Sequence, residues 1–421
     1  MGLRPGGPIR GSLRVPGSKS IAQRVLLAAS LASGRTRIAG LPRGGDVDAA
    51  LALVSAAGAG VERLAPAAVA ITGRPPGPQR GLQPAGPVSA GESGTLARLA
   101  TAALALASAP GRRYEIRAEG TLLRRESRAL FEALAKAGVE IEHTARNHGW
   151  PARVRSIGPP STIVIANPSS SQEVSALHLA AAAWPDEIVI EVVGEIPSRP
   201  YVELTRRTLE RFGARIRGPL IAPSEPIEIE PDASSAAVLL AAGCLSGGRA
   251  LALGLPRDSA QPDARAGGLF ERFGIRTGWE DAGPWAEGVP DRGAVVDCSD
   301  TPDLAPVLAV LAATAAIREG ASSRLTGLAT LAGKESDRIA VLARGLSAVG
   351  VEARAGRDAL EIGPSAGKRE LHGVVLDPHG DHRMAFAFAL LGLVGDGVSV
   401  ADARCVAKSW PSFWEDLGSL G

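Results

Sequence analysis

The string Gly333-Lys334-Glu335-Ser336-Asp337-Arg338 packs charged, proton-exchanging side chains together. Read as a helix, it places Lys334 and Arg338 at i, i+4 on one face, with Glu335 beside Lys334. Two cations at that spacing repel unless an anion sits between them. A phosphate or carboxylate ligand fits that place, and Glu335 near those cations would be an ionised proton-transfer group. The alternative is a solvated, internally paired face. Lysine usage adds weight: of 46 Lys and Arg residues, only Lys19, Lys136, Lys334, Lys368 and Lys408 are lysines. Lys19, Lys334 and Lys408 lie in charged clusters at element ends. There a compact ammonium that can shift its pKa is not interchangeable with a planar guanidinium.

The elements that position such groups are repeated. Six clusters of small polar or charged residues run directly into Ala/Leu-rich stretches. They are Gly17-Ser18-Lys19-Ser20-Ile21-Ala22-Gln23-Arg24, Gly91-Glu92-Ser93-Gly94-Thr95-Leu96-Ala97-Arg98, Ser169-Ser170-Ser171-Gln172-Glu173, Asp232-Ala233-Ser234-Ser235-Ala236, Thr301-Pro302-Asp303-Leu304-Ala305 and Gly380-Asp381-His382-Arg383-Met384. Their regular recurrence marks an internal repeat. A Ser, Thr or Asp before an apolar run is a helix N-cap, and a helix N-terminus offers N–H groups and positive dipole to an anion. Six ordinary capped helices would account for Ser and Asp, but not for Lys19, Arg24, Arg98 and Arg383.

Behind most junctions a second, amphipathic helix is predicted, closing on Gly: 46–58, 125–138, 199–213, 263–274 and 334–350. Gly after the last apolar position is a left-handed C-cap, and β-branched residues beyond it, as in 139–142 and 188–193, start strands. The unit is strand, helix, strand, helix, strand, written about six times, an α/β architecture. At 421 residues two domains are expected. Three repeats fall in 18–229 and three in 230–421, with residues 1–17 assigned to the second lobe. The short strand 9–15 could pair with either. Pro-Gly and Pro-Asp punctuate the junctions at 13–17 and 228–232 as hinge points.

Composition narrows the class. Apolar residues make up 45% and charged residues 21% of the chain, as in a soluble globular protein. The longest apolar stretch, 304–317, is too short to cross a bilayer. The N-terminus lacks the apolar core of a secretory signal, so a cytoplasmic protein with no membrane partner is expected. Cys244, Cys298 and Cys405 have no metal-ligand spacing and are expected to be reduced core thiols. A net charge of +2 does not argue for nucleic acid.

These motifs, in this order, resemble EPSP synthases (5-enolpyruvylshikimate-3-phosphate synthases), members of the enolpyruvyl transferase family. The resemblance is carried by Pro16-Gly17-Ser18-Lys19-Ser20 with Arg24, Gly91 and Gly94-Thr95 with Arg98, and Ser170-Ser171-Gln172. It continues through Ser198-Arg199-Pro200-Tyr201, Asp232 with Ser234-Ser235-Ala236, Pro302-Asp303, the 334–338 string, Asp381-His382-Arg383-Met384 and Ala407-Lys408. It implies two similar lobes, each of three βαβαββ-type units, an inside-out α/β barrel-like arrangement closing over the substrates. The implied reaction transfers the enolpyruvyl group of phosphoenolpyruvate to the 5-hydroxyl of shikimate 3-phosphate, releasing phosphate. Both substrates are polyanions, which suits converging cations and helix N-termini.

By the same resemblance, Lys19, Ser20, Arg24, Ser170, Ser171, Gln172, Ser198, Tyr201, Asp303, Thr330 and Lys334 would hold shikimate 3-phosphate. Lys19, Gly94, Arg125, Gln172, Arg338, Arg383 and Lys408 would hold phosphoenolpyruvate. Asp303, Glu335 and Lys19 would move protons, with Thr95, Arg98, Asp381 and His382 in support. No metal and no cofactor is implied, and a monomer is expected. Glu92 stands where the family usually has Asn, Glu126 where it has Pro, Ala22 where Ser is common, and Thr330 where Asn often touches the shikimate moiety. Arg124 and Arg125 are therefore alternative alignments for one clamp. UDP-N-acetylglucosamine enolpyruvyl transferases are expected to carry Lys-Asn at the first junction and a reactive loop Cys, whereas Ser20 follows Lys19 here and no Cys precedes Cys244. RNA 3′-phosphate cyclases share a similar repeat. An RNA surface should supply stacking aromatics, yet aromatic residues are only 4%. A non-catalytic binding paralogue is opposed by the retention of Asp303, Glu335 and the three motif lysines.

Overall fold

The computed structural model describes residues 1–3, 7–77, 80–145, 148–214, 219–365, 374–395 and 397–420; Lys368 lies outside them. The chain divides into two compact units, Gly17–Ile229 and Met1–Pro16 with Glu230–Gly421.

Within Gly17–Ile229, three Ala/Leu-rich helices, Lys19–Leu31, Gly94–Leu106 and Ser171–Ala181, are buried almost all round. The second unit has three counterparts, Ala233–Leu245, Ala305–Glu319 and His382–Leu391. A helix apolar on every face belongs in a core, and all six begin at the motif junctions. Ser93, Ser170, Asp232 and Asp381 cap their helices through the side chain. Ser170 and Glu173 form a reciprocal capping box. Ser18 does not cap: its buried hydroxyl has no hydrogen-bond partner among the described residues.

Around these helices lie small sheets of one recurring design. Val88–Ser89 pairs in parallel with Arg113–Arg117, which pairs antiparallel with Ala152–Arg155 and through it with Glu140–His143. Val295–Asp297, Ser323–Thr326, Ala359–Ser365 and Val351–Ala355 repeat that order in the other unit. The remaining two four-stranded sheets take their first strand from far along the chain. Ile227–Glu228 pairs with Arg35–Ala39, and Arg10–Leu13 pairs with Arg249–Ala252. The N-terminal strand therefore belongs to the second unit. In the third and sixth repeats the sheets have two strands among the described residues, Thr162–Ala166 with Val189–Val193 and Val374–Leu376 with Val398–Val400.

The second helices end as the glycines require: Gly58, Gly138, Gly213, Gly274 and Gly350 all have positive φ. Their beginnings differ from expectation in three places. The helix expected from 125 begins at Arg128, because a 3-10 turn occupies Gly120–Arg124 and Arg125 is its extended C-cap. The helix expected over 263–274 is broken into the 3-10 turn Pro262–Arg265, the short helix Ala266–Phe270 and the turn Glu271–Phe273. Gly267-Gly268 sits in its middle, where glycine disfavours helix. The helix expected from Lys334 begins at Arg338, because Asp337 caps it by accepting from the Ala340 N–H. Burial pushes the Cys244 and Cys298 thiols up to about 12, so both are inert core groups. Among the described residues no helix is long and apolar enough to cross a membrane.

Candidate active site

In the second unit, one guanidinium organises the charged cluster. Arg338, 1% exposed, opens its helix and donates to Asp303 at 2.8 Å, Glu335 at 2.9 Å and Asp381 at 2.8 Å. Lys334, off the helix in the preceding bend, brings its ammonium to 3.7 Å from Asp303. The anion between Lys334 and Arg338 is thus the chain's own Asp303, so an incoming ligand must compete with it. Arg383 also reaches Asp303, at 3.0 Å. Lys408, from the 3-10 turn Ala403–Lys408, lies 3.6 Å from Glu335. Lys334, Arg338, Arg383 and Lys408 face Asp303, Glu335 and Asp381, four cations against three anions.

Burial alone would raise the Asp303 pKa, but Arg383, Lys334 and Arg338 outweigh it and hold the carboxyl well below the usual range. The same pairing works in reverse on Arg338. Burial opposes its charge, yet Asp381, Glu335 and Asp303 raise its pKa above the ordinary value. Asp381 also caps the His382–Leu391 helix through the Arg383 N–H and accepts from the Ser336 hydroxyl at 3.1 Å. His382 is buried with its ring edge-on to Phe386. Thr330 lies in the 3-10 turn Ala329–Leu331, its buried hydroxyl without a partner among the described residues.

The first unit carries two linked groups of site residues. In one, Arg24, also 1% exposed, donates to the Thr205 hydroxyl and the Ser20 carbonyl, both at 2.8 Å. Those acceptors are neutral, and burial pulls the guanidinium down to about 10, with Tyr201 opposing. A buried cation held by neutral oxygens is well disposed to take an anion. Thr205 in turn donates to the Tyr201 carbonyl at 3.0 Å. Ser198, before the helix Pro200–Glu210, has a left-handed φ of 53°, a strained conformation for a non-glycine residue. Lys19 forms an ion pair with Asp46 at 3.1 Å.

In the other group, Arg98 fastens the second and third repeats together. It donates to the Gly94 carbonyl at 2.9 Å, the Ser127 hydroxyl at 3.1 Å, the Glu126 carbonyl at 2.9 Å and Gln172 Oε1 at 3.2 Å. Because the Gln172 oxygen is engaged, its amide is oriented with the NH₂ on the other side. Glu173, fully buried, accepts from Ser127 Oγ at 2.7 Å and from the Ser169 N–H at 2.7 Å. A Cβ added to Gly94 would lie 2.7 Å from Arg125 Nη1 and 2.9 Å from Arg98 Nη1. Gly94 therefore permits two guanidinium groups to converge at a helix N-terminus, and the one from the disputed pair is Arg125. Thr95 follows Gly94 in the first turn. Gln23 joins the two groups, donating to Ser93 Oγ at 2.7 Å and the Asp46 carbonyl at 3.2 Å.

Asp46, Thr205 and Ser127 carry no assignment from the sequence, and Gln23 and Glu173 stand only within the junction strings. Asp46 had a visible signal, an acidic residue in the first turn of the helix Gly45–Ala56. Thr205 had none, because a mid-helix Thr acquires its role only by packing.

The chain matches the EPSP synthase (3-phosphoshikimate 1-carboxyvinyltransferase) family over residues 3–417. A Syntrophobacter fumaroxidans protein named 3-phosphoshikimate 1-carboxyvinyltransferase is 34% identical over 430 residues, covering 99% of each chain. One of the same name from Laribacter hongkongensis is 35% identical, covering 99% of this chain and 98% of its own. Among solved structures, an EPSP synthase from Acinetobacter baumannii superposes with a TM-score of 0.78 at 25% identity, over 100% of this chain and 97% of that one. The enolpyruvyl transferase NikO from Streptomyces tendae shares the fold, with a TM-score of 0.71 at 18% identity, over 99% of this chain and 96% of that one. Since the likeness runs almost from end to end and takes in both charged clusters, this chain belongs to the EPSP synthase family.

Proposed function

We infer that the protein transfers the enolpyruvyl group of phosphoenolpyruvate to the 5-hydroxyl of shikimate 3-phosphate and releases phosphate. The observation that carries this reading is Arg338, buried among Asp303, Glu335 and Asp381 with Lys334, Arg383 and Lys408 around them. That cluster combines four cations, which an anionic substrate needs, with carboxylates of a kind that can exchange protons.

Shikimate 3-phosphate is assigned to Lys19, Ser20, Arg24, Ser170, Ser171, Gln172, Ser198, Tyr201, Asp303, Thr330 and Lys334. Phosphoenolpyruvate is assigned to Lys19, Gly94, Arg125, Gln172, Arg338, Arg383 and Lys408. Asp303 takes the proton of the attacking 5-hydroxyl, while Glu335 and Lys19 handle protons at the methylene and leaving groups. Neutralised by three cations, Asp303 is a weak base in the free protein. Anionic substrates drawing on the same cations restore its basicity, so the base strengthens as substrate binds. The test is phosphate release from phosphoenolpyruvate, expected only with shikimate 3-phosphate present. Turnover with UDP-N-acetylglucosamine in its place would overturn the assignment.

A further inference from the structure

Asp263 has no part in the chemistry above, yet it lies beside the groups that carry it. It belongs to the 3-10 turn Pro262–Arg265 and is 2% exposed. Its Oδ2 accepts from the Ser234 hydroxyl in the first turn of the helix Ala233–Leu245. Its Oδ1 is buried with no hydrogen-bond partner among the described residues. An orphaned buried oxygen is costly on a carboxylate and far cheaper on a neutral carboxylic acid. The charged and titratable groups facing Asp263 are Asp303 and Arg383, Asp232 at the helix start, and the Cys298 thiol. Arg257 and Glu271 line with it a cavity of about 390 Å³ beside Trp279 and Trp285.

We propose that Asp263 is a positioning residue which, while uncharged, leaves Arg383 free to attract the phosphoenolpyruvate anion, and whose ionisation weakens that attraction. The charge balance makes this consequential. Arg383 already faces the carboxylates of Asp303 and Asp232, so a further carboxylate beside it lowers the potential an incoming anion meets there. Burial, and after it the charge of Asp303, push the Asp263 carboxyl up to about 7, against the pull of Arg383 and the Ser234 hydroxyl. The proton therefore leaves within the range in which enzymes work. This inference rests on the assignment of Arg383 to phosphoenolpyruvate.

The experiment measures KM and kcat for phosphoenolpyruvate against pH in the native protein, Asp263→Asn and Ser234→Ala. In the native protein KM should rise about five-fold through the Asp263 ionisation while kcat changes little, the size expected of one added charge near a guanidinium in a partly solvated site. Asp263→Asn should lose this rise, whereas the ionisation of phosphoenolpyruvate itself is common to all variants. Ser234→Ala should move the rise to higher pH, because it removes a hydrogen bond that favours the ionised form. Identical pH profiles in all three, or a loss in Asp263→Asn uniform across pH, would overturn the proposal. If Asp263→Asn fails to fold, the shift in Ser234→Ala decides.

A melting series gives a readout independent of turnover. With its folded pKa raised, Asp263 contributes stability that is complete below about 4 and is lost as pH rises to about 7. Asp263→Asn should therefore melt progressively higher than the native protein as pH rises through that window. Equal differences at all pH values would count against the proposal. Absence of any phosphate release by the native protein would instead count against the functional assignment, with the melting series still reporting on Asp263.

Discussion

Arg338 grips Asp381 with both ends of its fork, Nε 2.8 Å from one carboxylate oxygen and Nη2 3.3 Å from the other, with almost no solvent at either side chain. Removing Asp381 takes away one of three carboxylates that compensate the buried Arg338 and the acceptor of its Nε, leaving Asp303 and Glu335. Asp381→Ala should cost about 3–5 kcal/mol of stability, measured by denaturant titration. It also removes the cap on the His382–Leu391 helix, worth about 1 kcal/mol. Phosphate release should fall with it, because Arg338 and Arg383 both lose their anchor.

Asp303→Asn keeps the shape of the side chain but not the base. Shikimate 3-phosphate should still bind by calorimetry, while turnover falls about 100-fold or more. Phosphoenolpyruvate binding should be unchanged or tighter, because Lys334, Arg338 and Arg383 lose a competing anion. Near-normal turnover would mean the proton is taken elsewhere.

Gly94→Ala would push its methyl against Arg125 Nη1 and Arg98 Nη1. Arg125 can give way, but Arg98 is buried and holds four acceptors, so the protein should fold with a lowered melting temperature. The two guanidinium groups must swing aside, and KM for phosphoenolpyruvate should rise about ten-fold with a smaller change in kcat.

Glu92 precedes the same helix, its Oε1 lying where a Cβ on Gly120 would clash with it. The carboxylate is thus packed onto the Gly120 turn, a position open only to a residue without a side chain. Glu92→Gln should leave KM for phosphoenolpyruvate unchanged or raised. A marked fall would show instead that the native charge repels the ligand.

What could be read from the chain depended on how local the cause was. The six buried helices were legible because a cap and the apolar run behind it are neighbours in sequence, as at Ser93 and Asp232. The glycine stops at Gly58 and Gly138 were legible for the same reason. Lys334 was misplaced onto a helix because periodicity continues through Ser336 and Asp337. Capping by Asp337 starts the helix later and turns Lys334 toward Asp303 through a bend. Gly267-Gly268 was the visible warning that the 263–274 helix would break. The partners that hold the candidate site, Asp46 for Lys19, Thr205 for Arg24 and Ser127 for Arg98, come from elements brought near only by folding.

The pairing of Arg10–Leu13 with Arg249–Ala252 sets an order of events during synthesis. The strand Arg10–Leu13 is made early, but its partner follows only after the whole of Gly17–Ile229. That intervening unit closes its own first sheet with Ile227–Glu228 and can finish folding while the nascent chain is still growing. The early strand meanwhile waits with an unsatisfied edge, a template for wrong pairing. Its sequence, Arg-Gly-Ser-Leu, is short and carries a charge and a glycine, which keeps it a poor nucleus for aggregation until its own sheet arrives.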